Sequence, residues 1–169
     1  LPVAGALAAS LVPRNLLGFH RWWALLISAF TLFASLQLYV GFSGNTFHFQ
    51  WREGMDWLPA LGIRYQLGVD GISLWLILLT SLISFLGIWF SFHVRERVKE
   101  FMIWLLILEG AMIGVFCALD LVLFYIFFEA TLIPMYFLIS IWGGKNRVYS
   151  SVKFFLFTFL GSIFMLVAI

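Results

Sequence analysis

The stretch LDLVLFYIFFEATLIPMYFLISIWGG, residues 119–144, decides the fold. It is apolar and aromatic over a length that crosses a bilayer as one helix, yet it carries Glu129 at its centre. A charged, unpaired carboxylate is costly at that depth, so something must hold it, and an ionisable residue there marks a proton or ion path by default. The plainer alternative is a neutral Glu129 hydrogen-bonded to a neighbouring helix for packing. Pro134, five residues on, removes the amide that would bond the carbonyl of Ala130, which predicts a loosened helix and a free backbone acceptor just past the carboxylate. Helical spacing brings Tyr125 and Tyr136 onto the Glu129 face, where their hydroxyls can hold water; aromatics on a membrane helix otherwise serve packing.

Composition extends this reading to the whole chain. With 63% hydrophobic and 11% charged residues and a mean hydropathy of +1.05, it departs far from soluble proteins and is read as an all-α polytopic membrane protein. The net charge of +2 rests on so few charged side chains that it gives no reason to expect nucleic acid. Cys117 stands alone and is read as a small buried hydrophobe. Neither His20, beside Arg21 at the headgroup level, nor His48 nor His93 has a second ligand at metal-binding spacing, so no metal is expected.

Leu1–Val12 is the tail of a first helix, stopped by a turn at Pro13-Arg14-Asn15. Since it is too short to span and the last apolar run ends at Ile169 without a polar flank, a piece of a longer protein is expected, and a cleaved signal peptide is a poor account of the start. A second helix runs from about Trp22 to Phe42, opening on a Trp22-Trp23 pair suited to an interfacial belt. Alternation in Thr46–Trp51 and in Ile63–Leu67, around a Gly54/Pro59/Gly62 break, predicts a short β-hairpin on the membrane surface at about 46–67. Asp70 is placed to cap a third helix, 71–92. After a charged loop, His93–Glu100, a fourth helix, 101–119, carries a second carboxylate, Glu109, and the Gly110-x-x-x-Gly114 spacing that permits close helix approach. Asp120 turns the chain into the fifth helix, 121–142, and a loop holding Lys145, Arg147 and Lys153 leads to a sixth, 154–169. All six helices belong to one transmembrane domain.

Loop charge orients the bundle. Alternating helices put loops 13–21, 93–100 and 143–153 on one side with eight of the ten basic residues, leaving Arg52 and Arg64 on the other. The basic side is cytoplasmic, or the mitochondrial matrix. Glu109 and Glu129 then flank the outer turn at Asp120 at similar distances, which at the helical rise puts both roughly 14–16 Å deep, near the midplane. Whether they face one another the sequence leaves open.

Taken together, Gly68-Val69-Asp70-Gly71-Ile72-Ser73, Met112-Ile113-Gly114-Val115-Phe116, Asp120–Tyr125, Phe127-Phe128-Glu129-Ala130, Leu132-Ile133-Pro134-Met135 and Ile141-Trp142-Gly143-Gly144 resemble the antiporter-like chain M family of respiratory complex I, the proton-translocating NADH:quinone oxidoreductase. The Pro134-Met135 step after the glutamate favours chain M over the related chains L and N and over Mrp-type cation/proton antiporters. The resemblance implies a fourteen-helix fold with inverted repeats, of which this chain would be the N-terminal part. It also implies that Glu129 pairs with a lysine on a later helix, outside this segment, and that changes in their protonation accompany proton movement. Tyr125 and Tyr136 would serve as hydrogen-bond or water partners; Glu109, which is not carried by the family pattern, would be an auxiliary carboxylate.

The expected activity is that of a translocase subunit with no redox site of its own. FMN, iron–sulfur clusters and quinone are expected in partner subunits, chains of the L and N types among the neighbours, and a bacterial inner membrane as the location. The alternatives are an Mrp-type antiporter subunit and a structural assembly subunit whose glutamates are neutral packing groups.

Overall fold

The computed structural model describes residues 1–13, 16–43, 49–58 and 63–168. Its elements in chain order are α1 (Pro2–Leu11), α2 (Leu17–Gly41), β1 (Gln50–Leu58), β2 (Ile63–Val69), α3 (Gly71–Phe90), a 3-10 turn (Ser91–His93), α4 (Val98–Cys117), α5 (Leu121–Trp142) and α6 (Arg147–Ala168). Five of these helices are long and apolar enough to cross a membrane, and α1 is shorter. The chain is a multi-pass membrane protein with an all-α body and one small sheet.

α4 is the axis of the bundle, packed against α1, α2, α3 and α5, while α6 packs on α5 alone among the major helix contacts. Two apolar clusters hold it there. Towards the basic side, Ala6, Ala24, Ile88, Val98, Met102 and Leu106 close together; towards the other, Val69, Leu74 and Ile77 pack with Leu38, Ile113, Phe116 and the half-buried Cys117. Small residues let the helices approach. A Cβ on Gly5 would lie 2.7 Å from Ile27, and one on Gly110 would lie 2.5 Å from Val3, so α1 nests against both α2 and α4. Large apolar side chains on the outer faces, Phe157 and Phe164 of α6 among them, stay exposed as a lipid-facing surface requires.

The hairpin forms, displaced from its expected position. β1 and β2 pair antiparallel from Gln50↔Val69 to Leu58↔Ile63, with irregular register between Gln50 and Glu53 where Trp51 adopts a φ of 54°. Gly54, expected in the break, instead pairs with Gln66 inside the ladder. Expectations resting on Arg14, Asn15, Thr46, Phe47, His48, Pro59, Gly62 and Ile169 lie outside the described residues. The sheet is tied to the bundle where Leu119 N–H donates to Gln66 O at 3.0 Å and Leu67 bridges Ala118.

Asp70 caps α3 as expected. Its carboxylate accepts from Ser73 N–H at 2.7 Å while Asp70 N–H donates to Ser73 Oγ at 2.9 Å, a reciprocal capping box. These bonds, the Ser73 amide first, hold the Asp70 carboxyl below its ordinary range. Asp120 caps α5, its carboxylate accepting from the Val122 and Leu123 amides at 2.9 and 3.1 Å.

Several helix starts differ from the hydropathy reading. α2 begins at Leu17, so His20 and Arg21 lie within it and not in the connection. His20 is 1% exposed, with Nε2 3.1 Å from Pro13 O, so it is buried among protein groups near the start of α2. α4 begins at Val98 and ends at Cys117, and α6 begins at Arg147, which places Lys153 on a helix and not in the loop. The cause is shared: polar residues continue a helix past the hydrocarbon edge where no Pro or Gly stops them.

Candidate functional site

α5 runs unbroken from Leu121 to Trp142 with a buried Pro134 inside it, so the missing amide is accommodated without ending the helix. Glu129 is half-buried, and its Oε1 is buried without a hydrogen-bond partner. Tyr125 and Tyr136 are half-buried on the same side of the helix. Tyr136 packs edge-on against Phe155 of α6 at 5.7 Å, which shows that the Glu129 face is turned towards α6.

That contact also fixes a level. Glu129 lies two turns before Tyr136, and Ser162 lies two turns after Phe155; in an antiparallel pair both steps lead the same way by roughly 10 Å. Ser162 is 3% exposed, and its hydroxyl donates to Phe159 O at 2.8 Å. Ser151, Phe155, Thr158 and Ser162 form one stripe at spacings of four, three and four residues, so α6 presents hydroxyls to the Glu129 face. The sequence reading missed these residues. The signal was present in the spacing, but α6 was begun too late for Ser151 to join it.

Glu109 lies elsewhere. α5 packs on α4 through Trp104 stacked on Phe137 at 4.5 Å, Phe101 against Trp142 at 4.9 Å, and Gly114 against Phe127. Glu109 is about 140° round the helix from both Trp104 and Gly114, opposite the α5 side. It stands two turns from Met102 and two from Phe116, between the two apolar clusters and on their face, directed at α2 and α3. Glu129 is likewise turned away from α4. The Trp104–Phe137 and Gly114–Phe127 contacts set Glu109 level with Leu132, three residues from Glu129 along α5, and the two carboxylates do not face one another.

Glu109 is 1% exposed, and both its carboxylate oxygens are buried without partners. Among the described residues no cluster of three His, Cys, Asp or Glu side chains is placed to hold a metal ion. The basic residues of the loop side act on helix ends. Lys99 donates to Ser10 O and Val12 O at 2.7 and 2.6 Å, closing the end of α1, and Arg147 donates to Ile141 O at 2.6 Å near the end of α5. Arg21 donates to Val94 O at 2.7 Å.

Membrane helices packed on a Gly-lined axis, with buried carboxylates in two of them and basic ends on one side, define a multi-pass membrane protein with intramembrane ionisable groups. The description "NADH:quinone oxidoreductase/Mrp antiporter, TM" belongs to the family profile that matches residues 118–169, the segment holding Glu129. The chain is similar to subunit M of complex I. It is 53% identical over 148 residues to the NADH-quinone oxidoreductase subunit M of Rhodobacter capsulatus, covering 88% of this chain and 28% of that protein. It is 42% identical over 170 residues to the NADH-ubiquinone oxidoreductase chain 4 of Arabidopsis thaliana, covering 99% of this chain and 34% of that one. Respiratory complex I from Thermus thermophilus with bound NADH contains a chain that superposes with a TM-score of 0.83 at 32% identity, covering 99% of this chain and 33% of the other. The chain thus spans about a third or less of the length of these relatives, which fits the N-terminal part of a longer subunit.

Proposed function

We propose that this chain is the N-terminal part of a proton-translocating subunit of NADH:quinone oxidoreductase, with Glu129 as the ionisable centre. The observation that carries the reading is the buried, unpartnered Oε1 of Glu129 on the α5 face turned towards the hydroxyl stripe of α6. A carboxyl group in that position is neutral when protonated and needs a counter-charge when ionised. The counter-charge is a lysine on a later helix, outside this segment. Tyr125, Tyr136 and the α6 hydroxyls supply hydrogen bonds or ordered water around the carboxyl, and the carbonyl freed by Pro134 supplies an acceptor. Glu109 acts as an auxiliary carboxyl.

FMN, the iron–sulfur clusters and quinone belong to partner subunits, and the membrane neighbours are chains of the L and N types. The location is the bacterial inner membrane, with the basic loops in the cytoplasm. Glu129→Gln should nearly abolish proton transfer coupled to NADH oxidation in membrane vesicles while the complex still assembles. Normal pumping in that variant overturns the proposal.

The family description names Mrp antiporters as well, which favours a cation/proton antiporter as the second reading. Sodium-driven proton exchange by the full subunit in liposomes, with no redox partner present, would select it. A purely structural subunit is selected if Gln at both 109 and 129 leaves turnover and pumping unchanged.

A further inference from the structure

Three helices bring their buried polar residues to one level beside Glu109. Ala24 of α2 and Val98 of α4 belong to the same apolar cluster. The two helices run parallel, and eleven residues beyond each lie Ser35 and Glu109. Ile88 of α3 and Met102 of α4 also share that cluster, in antiparallel helices, so seven residues before the one and seven after the other reach Ser81 and Glu109. The α2 and α3 levels agree independently, because Ser35 Oγ and Ser81 Oγ are hydrogen-bonded at 2.8 Å. Ser35 is 2% exposed and Ser81 is fully buried.

The hydroxyls are arranged to accept. Ser35 Oγ also contacts Leu32 O at 2.7 Å and Ser81 Oγ contacts Leu78 O at 3.0 Å, so the pair's two protons already have three acceptors, two of which they can serve at a time, and none is spare for a carboxylate. Their lone pairs remain for an O–H donor. A protonated Glu109 is such a donor, reaching them by a rotamer change or through one bridging water. Titratable and charged groups on the packed elements lie at other levels or faces: His20, Arg21 and Tyr39 on α2, Tyr125 and Glu129 on α5, Arg64 and Tyr65 on β2. α3 contributes none.

We infer that Glu109, with the Ser35–Ser81 pair, forms a second intramembrane proton-binding site, held between α2, α3 and α4 and separate from the Glu129 face. It deepens the proton-translocation reading and rests on it for its physiological role, but not for its chemistry. The site takes a proton onto a carboxylate oxygen and releases it as the acid O–H bond breaks; no other group is transferred.

Infrared difference spectra of the intact complex, recorded on a pH step, test it. A carboxylic-acid C=O band is expected that Glu109→Gln removes and that Ser35→Ala and Ser81→Ala shift to higher frequency as a hydrogen bond is lost. In vesicles Glu109→Gln should lower the ratio of protons moved to NADH oxidised. If Glu109→Gln fails to assemble, the serine variants keep the carboxyl group and read the same band. A spectrum unchanged by these substitutions overturns the inference, and so does a band that answers to sodium at fixed pH, which would make this a cation site. If Glu129→Gln pumps normally while the Glu109 band still titrates, the role given to Glu129 fails and this site stands.

Discussion

Single residues set the ends of the helices and the chemistry between them. Asp70 is the clearest case: its carboxylate belongs to a reciprocal cap, and its affinity for protons is lowered by the bonds it accepts. A depressed folded-state value means that the cap contributes fully above the ordinary Asp range and fades as pH falls through the lower folded value. Asp70→Ala should cost about 1 kcal/mol at neutral pH, whereas Asp70→Asn keeps an acceptor and loses less. Thermal unfolding of the detergent-solubilised protein at neutral and acid pH checks this, and a wild-type advantage that grows on acidification would refute it. Asp70, Asp120 and Glu129 were all legible in the sequence, because a lone polar residue before or within an apolar run has few places to be. The directions of Glu109 and Glu129 were not, since spacing along one helix says nothing about which neighbour each face meets.

The helices themselves were read correctly in number and order, and α5 to the residue. Errors gathered at the basic ends of α2, α4 and α6 because hydropathy locates the hydrocarbon slab, and a helix whose Arg or Lys side chains reach the headgroups continues beyond it. His20 was misplaced for this reason and found its partner, Pro13 O, only through tertiary packing. The α4–α5 contact depends on Gly114, against which the Phe127 ring lies directly. Gly114→Ala should force that ring aside at a cost of about 1–3 kcal/mol, offset in part by the better helix propensity of Ala. A lowered melting temperature together with a smaller yield of assembled complex is the expected result. Phe127→Ala in the same background should restore part of it, and an unshifted single variant would show that the contact is not tight.

For the whole molecule, charge asymmetry and the fold agree on orientation. The loops rich in Arg and Lys lie at one end of the bundle, and the hairpin with the Asp120 turn lies at the other. In a Cys117→Ser background, Lys145→Cys should react with a membrane-impermeant thiol reagent only from the cytoplasmic side, and Asp56→Cys only from the opposite side. The reverse pattern would invert the topology and the direction of every path drawn through it. The hairpin was legible as alternation, but its register was not, because a pattern of period two gives no absolute position when one face meets a bilayer surface and not a sheet partner.

The bond from Leu119 to Gln66 joins the sheet to the turn between α4 and α5, the one connection that both carboxylate-bearing helices share. β2 runs directly into the capped start of α3, so a single length of backbone serves as the datum from which three helices measure their insertion. A helix free to slide by one turn would carry a carboxyl group roughly 5 Å towards one surface, a sixth of the hydrocarbon thickness. The small outer sheet thus acts as a gauge block, fixing the depths of Glu109 and Glu129 relative to one another although neither touches the other.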